Sequence, residues 1–148
     1  MSDSAITVRL NQHHDYQFNN QFGPGINDLL TDEPPPLGQG AGPSPNQLLA
    51  AAVGNCLAAS LKFALGKYKQ DPVSLACEVD LIVGRNLEKR LRVQGLTARL
   101  TMGAPADTLD HLERVLATFE DFCTVTASVR AAIPVTVQVF DGHGAQLK

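Results

Sequence analysis

Two of the three cysteines in this chain stand where redox chemistry is possible. Cys56 lies deep inside an uncharged run of small residues that is predicted to be helical, and Cys123 begins a second helix-like run. Because the thiolate is the reactive form of cysteine, the surroundings that set its pKa decide its reactivity. The two residues are far apart in sequence and form neither a Cys-x-x-Cys pair nor a zinc knuckle. A redox pair is therefore one interpretation of this pattern.

The residues alone leave a second interpretation open for Cys56, because a cysteine among alanines is also a common small core residue. At Cys123, the N–H groups of a helix start would stabilise a thiolate by roughly 0.3–1 kcal/mol. The nearby charges of Glu120 and Asp121 would act in the opposite direction. Cys77 falls on the apolar face of a predicted strand, and we expect it to be a core residue.

The composition indicates one globular domain over residues 1–148. The chain is 44% hydrophobic with a net charge of −3, and it has no basic cluster of the kind that binds nucleic acid. The N-terminus shows no basic region followed by an apolar run, and Pro and Gly interrupt the longest uncharged stretch, residues 34–61. We therefore expect no membrane span and a cytoplasmic location, where thiols stay reduced.

The first third of the chain is predicted to form strands, followed by a loop and a long helix. Alternation of apolar and polar residues marks the strands, and Pro and Gly mark the loop. Ser44 is placed to cap the helix, with Pro45 at its first position. The helix carries no charge in its first four turns, so we expect it to be buried on nearly every side. The predicted elements are strands at 6–10, 14–18 and 26–30, a loop at 32–45 and a helix at 45–68.

The remaining residues predict an α+β fold. A strand at 73–83 is followed by a long strand at 91–102, whose apolar phase shifts near Gly95 and so indicates a bulge. A helix is predicted from Pro105, and Pro134 in a last strand at 133–139 indicates either a sheet edge or a strand start. No metal site is indicated, since adjacent His13 and His14 would point to opposite faces of a strand.

Two stretches of the sequence resemble the OsmC/Ohr family of osmotically inducible and organic-hydroperoxide-resistance proteins. The first is residues 32–45, continuing through Leu48–Ala52 to Cys56. The second is Phe122–Ser128 followed by Ile133–Val137, which resembles the family's second cysteine motif and closing strand. The resemblance implies an OsmC-like fold: antiparallel sheets around a long buried central helix, in an intertwined homodimer with active sites at the interface.

The resemblance also implies an activity, a thiol-dependent peroxidase that reduces organic hydroperoxides or hydrogen peroxide in oxidative-stress defence. Cys56 would attack the peroxide, and Cys123 would resolve the sulfenic acid as a disulfide, as the cysteine oxidation ladder allows. An external dithiol, of lipoyl type in one branch of the family, would supply electrons without a bound metal or flavin. The alternative is a protein of the same fold that binds a small apolar ligand and has weak or no peroxidase activity.

The sequence departs from the family pattern where the thiolate is activated. Asn46 stands where the peroxidase branches place a glutamate, and Arg9 is the only arginine before the helix. His13 and His14 occupy the region of the family's arginine. Lowering a thiol pKa by two units requires roughly 2.7 kcal/mol, so Arg9, His13, His14 or a residue of a partner subunit must assist Cys56. We predict that the His13/His14 strand does so.

Overall fold

The computed structural model describes residues 3–148, which form an α+β fold with two small sheets and a long central helix. The chain divides into two compact units that meet in sequence at Leu48 and Leu49. The strands are β1 Arg9–His14, β2 Gln17–Gln21, β3 Leu29–Thr31, β4 Leu75–Arg85, β5 Leu91–Met102 and β6 Val135–Phe140. The helices are α1 Pro45–Gly66, α2 Leu112–Thr118 and α3 Thr124–Arg130, with 3₁₀ turns at Ala106–Thr108 and Phe119–Phe122.

The N-terminal unit contains an antiparallel sheet of order β1-β2-β3 and the loop after it. Strands β1 and β2 begin about three residues later than alternation predicts, because Asp15 turns the chain with a φ of +47°. Asp32 organises the loop, since its buried carboxylate accepts hydrogen bonds from the amides of Glu33, Gln39 and Ala41 at 2.8, 3.1 and 3.1 Å. These bonds lower the pKa of Asp32.

Helix α1 begins at a capping box. The amide of Gln47 donates to Ser44 Oγ at 3.3 Å, and the amide of Ser44 donates to Gln47 Oε1 at 2.8 Å, so each side chain satisfies the other residue's N–H. The predicted Ser44 cap and the start at Pro45 are therefore confirmed. The helix ends at Gly66, close to its predicted end, and spans 22 residues.

The C-terminal unit packs one face of α1 on a sheet of order β4-β5-β6. The buried helix residues are Val53, Gly54, Leu57, Ser60, Leu61, Ala64 and Leu65. The opposite face stays exposed in the single chain, at Ala51, Ala52, Asn55, Ala59 and Phe63. The expectation of burial on nearly every side is thus not met within one chain, because a single sheet covers only one side of a helix.

The second sheet is mixed. Strands β4 and β5 pair antiparallel, and their register shifts between Ile82 and Val83, opposite the Gly95 region where a bulge was predicted. Strand β6 pairs parallel with β5 at the sheet edge, so the expectation of antiparallel sheets is wrong for this pair, while the edge position, one of the two alternatives that Pro134 indicates, is confirmed. Strand β4 starts later than predicted because Val73 adopts a φ of +68° in a turn.

The segment between β5 and β6 differs most from its prediction. Instead of one helix from Pro105, a 3₁₀ turn is followed by His111 with a φ of +60°, and only then does α2 begin. Phe119 is fully buried and anchors the turn after α2. This segment carries the chain to Cys123, which stands directly before α3.

Candidate active site

The structure brings Cys56 and Cys123 together. Cys56 is half-buried on α1, and the groups close enough to its sulfur to lower its pKa are the Cys123 thiol, the amides of Val125 and Thr126, and the Ser60 hydroxyl. Ser60 reaches this sulfur because residues four apart lie on the same face of a helix. Residues that are distant in sequence therefore form one polar cluster around a half-exposed thiol.

Cys123 is fully buried beneath that cluster. Its non-helical φ and ψ of −91° and 89° separate the preceding 3₁₀ turn from α3. Its sulfur lies 2.9 Å from Thr126 Oγ1, and its amide donates to the Glu120 carbonyl at 3.0 Å. The first contact fixes the Cys123 side chain relative to the start of α3, and the second fixes the Cys123 backbone to the preceding 3₁₀ turn.

The surroundings separate the two thiols in acidity. Burial raises the pKa of Cys56, but hydrogen bonds from Cys123, the Val125 and Thr126 amides and Ser60 outweigh burial, so the pKa falls below its ordinary value. For Cys123, burial raises the pKa, and the neighbouring Cys56 raises it further, against an opposing hydrogen bond from Thr126. Cys56 is therefore the thiol that ionises first.

Two cations pair with Glu120, an acidic residue expected to disfavour a thiolate at Cys123. The Glu120 carboxylate accepts from Arg130 Nη2 at 2.6 Å and pairs with Lys148 Nζ at 2.5 Å. Burial raises the pKa of Glu120, but the hydrogen bonds from Lys148 and Arg130 prevail and lower it. The expected opposition of Glu120 to a nearby thiolate is therefore offset by two cations, which also tie the Cys123 segment to the C-terminus.

An aromatic pair lies on the same elements as the two thiols. Phe63 follows Cys56 by two helical turns and Phe122 directly precedes Cys123, and their rings meet edge to face with centroids 5.3 Å apart. Both rings are about half exposed, and Lys67 Nζ lies 4.1 Å from the Phe122 centroid. This pair offers apolar surface with a cation at its margin.

Cys77 contributes to a different feature. It is half-buried on β4 and packs against the hydrophobic core, so the expectation of a core residue is met only in part; its sulfur would lie 3.5 Å from a Cβ placed on Gly54. Burial raises its pKa, against an opposing effect of Arg99. It lines a groove of about 460 Å³ between α1 and β4, together with Ala50, Ala51, Gly54, Asn55, Ala58, Leu75 and Val79.

Comparison with known families then identifies the chain's lineage. The sequence profile described as OsmC-like protein matches residues 38–138, a span that includes both Cys56 and Cys123. The chain belongs to the OsmC-like family. Comparison with curated protein sequences gave no match.

Solved structures show the same OsmC fold at low sequence identity. An osmotic stress induced and detoxification response protein from Psychrobacter arcticus has a TM-score of 0.78 at 19% identity, with 93% of this chain and 98% of that one covered. The organic hydroperoxide resistance protein OsmC from Legionella pneumophila gives 0.72 at 17%, covering 93% and 98%. The organic hydroperoxide resistance protein OhrB of Bacillus subtilis gives 0.67 at 15%, covering 90% and 98%.

The other predicted site residues of this OsmC-like chain lie in the N-terminal unit. Arg9, His13 and His14 are exposed on β1, where His14 Nε2 is 3.1 Å from the Asp15 carboxylate. Asn46 is exposed in the first turn of α1. Their part in activating Cys56 stays a prediction. Ser60 and Thr126 are not among the residues predicted from the sequence. The feature of the sequence that points to them is a hydroxyl-bearing residue about one helical turn after each cysteine.

The acidity of the thiols yields a first test. In iodoacetamide alkylation followed by mass spectrometry, Cys56 should react first, and its rate should fall only as the pH drops through its lowered pKa. Cys77 and Cys123, whose pKa values are raised, should react only at higher pH. Ser60→Ala should move the Cys56 profile to higher pH because one hydrogen bond to the thiolate is lost.

Variants on β1 serve as the comparison for this test. His13→Ala and His14→Ala measure the contribution of the strand to the same profile. Alkylation of Cys77 or Cys123 ahead of Cys56 at neutral pH would contradict the assignment of Cys56 as the more acidic thiol.

Proposed function

We propose that this protein is a thiol-dependent peroxidase that reduces organic hydroperoxides or hydrogen peroxide in defence against oxidative stress, with Cys56 as nucleophile and Cys123 as resolving cysteine. The observation that carries the proposal is the proximity of a half-buried thiol of lowered pKa to a fully buried thiol of raised pKa. A nucleophilic cysteine must be both ionised and reachable, and Cys56 is the thiol that meets both conditions.

The aromatic pair favours organic peroxides as substrates. Phe63 and Phe122 expose apolar ring surface on the elements that carry the thiols. An alkyl or aryl group gains free energy on leaving water for such a surface, at roughly 25 cal/mol per Å², whereas hydrogen peroxide has no apolar part. The solved relatives from Legionella and Bacillus are described as organic hydroperoxide resistance proteins, which agrees with this preference.

Turnover requires an external dithiol to reduce the Cys56–Cys123 disulfide, and we propose a lipoyl-type dithiol in the cytoplasm. The chemistry proposed for the two thiols needs no resident metal or flavin. The test is peroxide consumption with a dithiol, comparing cumene hydroperoxide, a fatty-acid hydroperoxide and hydrogen peroxide. We expect consumption with preference for the organic peroxides. No consumption of any of the three peroxides would refute the proposal.

A second candidate function rests on the groove that Cys77 lines. Its walls are mostly alanine, glycine and aliphatic side chains, and its volume of about 460 Å³ is in the range of small-molecule sites. A protein that bound a small apolar ligand there would need neither Cys56 nor Cys123. The peroxide assay separates the two functions, since ligand binding alone consumes no peroxide.

We also propose a homodimer. One face of α1 is exposed in the single chain, uncharged as far as residue 61, and includes the large apolar side chain of Phe63. Contiguous exposed apolar surface is uncommon on soluble monomers, and obligate dimers bury about 2,000 Å² or more. Light scattering should give twice the mass of the chain at micromolar concentration.

Charge placed on the exposed face of α1 tests the interface. Ala51→Glu should shift the protein toward monomer, because an unpaired carboxylate would be buried in the dimer. The matched control is Ala117→Glu on the exposed side of α2, which should leave the dimer intact. A wild-type protein that scatters as a monomer would contradict the proposal.

A further inference from the structure

The Thr126 hydroxyl is placed unusually for a hydroxyl in a helix. Thr118 and Ser128 donate to the carbonyl four residues earlier, Arg114 and Thr124, as helical hydroxyls commonly do. The fully buried Thr126 instead directs its oxygen at Cys123, 2.9 Å from the sulfur. Across residues 3–148, Cys123 is the only side-chain or carbonyl partner of this hydroxyl in a hydrogen bond.

This hydroxyl joins a line of four polar groups. Thr126 Oγ1 lies 2.9 Å from the Cys123 sulfur, and Cys123 and Ser60 both lie close enough to the Cys56 sulfur to lower its pKa. Thr126, Cys123 and Ser60 are buried, so Cys56 is the member of the line that a solute can approach. A proton on Cys123 therefore lies close to the sulfur that attacks the peroxide but away from bulk water.

The chemistry of a hydroxyl makes Thr126 useful to Cys123 in two states. A hydroxyl is one donor and also an acceptor, and its hydrogen can rotate. When the single S–H of Cys123 points at Thr126, the hydroxyl accepts it. When the S–H turns toward Cys56, or after Cys123 becomes a thiolate, the same hydroxyl can rotate and donate to the sulfur. The hydroxyl thus stays bonded to Cys123 before and after the proton leaves.

Resting on the function proposed above, we propose that Cys123 is also the general acid of the first step, delivering its proton to the oxygen that leaves the peroxide, and that Thr126 is the positioning residue for this transfer. An alkoxide is a strong base, so its departure needs a proton. Positioned general acids typically contribute about 10²–10⁴-fold to rate. The thiol that must resolve the intermediate already lies near the reacting sulfur.

The steps balance. The Cys56 thiolate attacks the terminal oxygen of ROOH, an S–O bond forms as the O–O bond breaks, and the departing RO⁻ takes the Cys123 proton to become ROH. Cys56 is oxidised to sulfenic acid, and Cys123 is left as a thiolate. That thiolate attacks the Cys56 sulfur, the disulfide forms, and hydroxide leaves and takes a proton from solvent. The external dithiol then reduces the disulfide. Proton delivery in the first step thereby creates the nucleophile of the second.

The test uses the leaving group of the peroxide. In a Cys77→Ser background, the rate of single-turnover oxidation of Cys56 is measured with an alkyl hydroperoxide and with a peroxy acid. The leaving group of the peroxy acid is a carboxylate, whose conjugate acid has a pKa of about 4, so it departs without needing a proton. Thr126→Val should slow the oxidation of Cys56 by the alkyl hydroperoxide on the order of 10²-fold. The same variant should slow its oxidation by the peroxy acid less than about tenfold. Thr126→Ser should restore the alkyl rate because it restores the hydroxyl.

The matched control is Thr124→Val, the same change at an exposed position of α3, which should alter neither rate. If Thr126→Val fails to fold, Cys123→Ser gives the same readout, since a serine hydroxyl is a far weaker acid than a thiol. Equal slowing with both peroxides would overturn the proton-donor role. A wild-type protein that is oxidised by neither peroxide would instead overturn the proposed function, and this inference with it.

Discussion

Cys56→Ser should abolish dithiol-dependent peroxide consumption, whereas Cys123→Ser should stop turnover and Cys77→Ser should leave most of it. Cys56 is the half-exposed thiol with the lowered pKa, and a serine hydroxyl at this position is not ionised at neutral pH. Without Cys123, each Cys56 can still be oxidised once by a peroxide, but no intramolecular disulfide can follow. Cys77 lines a separate groove and has a raised pKa.

Three measurements separate these outcomes. Steady-state consumption should fall to background in Cys56→Ser and Cys123→Ser. Mass spectrometry after one equivalent of peroxide should show a Cys56–Cys123 disulfide in the wild type and in Cys77→Ser. In Cys123→Ser it should show an oxidised Cys56 that a sulfenic-acid reagent captures. Full turnover by Cys56→Ser would show that Cys56 is not the nucleophile. A disulfide between Cys56 and Cys77 would show that Cys77, not Cys123, is the resolving cysteine.

The long helix is the part of the fold that the sequence predicts best. Its start depends on Ser44 and Gln47, which are three residues apart in sequence and satisfy each other's N–H groups. Local signals of this kind can be read without knowing the rest of the structure. The strands are less well predicted, because their ends depend on turns such as those at Asp15 and Val73, where non-glycine residues take positive φ.

The candidate site shows the same division between local and distant information. The two cysteines were identified from their motifs, but the groups that set their acidity come from separate elements. Hydrogen bonds from the Val125 and Thr126 amides to Cys56 require α3 to pack beside α1. The pairing of Glu120 with Lys148 joins the 3₁₀ turn after α2 to residue 148. No periodicity or spacing in the sequence encodes either contact.

The arrangement around Cys56 also changes how its activation is understood. The sequence predicts a cation beside Cys56, because burial alone raises a thiol pKa. The structure instead surrounds the sulfur with uncharged donors whose combined effect lowers the pKa. Uncharged donors do not titrate near neutral pH as histidine does, so activation from this source would persist above pH 7. The His13→Ala and His14→Ala profiles measure what charge adds to it.

Two phenylalanines near Cys123 should respond to truncation in opposite ways. Phe119 is fully buried and is the largest such side chain, while Phe122 is 43% exposed and contacts Phe63 at the edge. Phe119→Ala should lower the free energy of unfolding by about 3–5 kcal/mol, because it removes core contacts and leaves a cavity. Thermal denaturation should show a melting temperature lower by roughly 10–20 °C for a chain of this size.

Phe122→Ala removes an exposed edge-to-face pair, which is worth about 0.5–1.5 kcal/mol, so its melting temperature should change little. The substitution should instead change the substrate preference. The ratio of the rate with cumene hydroperoxide to the rate with hydrogen peroxide should drop roughly tenfold, because only the organic peroxide would lose apolar contacts worth about 1–3 kcal/mol. Phe122→Leu, which keeps apolar surface, should retain most of the ratio. If Phe122→Ala leaves the ratio unchanged while peroxide is still consumed, the organic group does not bind at the aromatic pair.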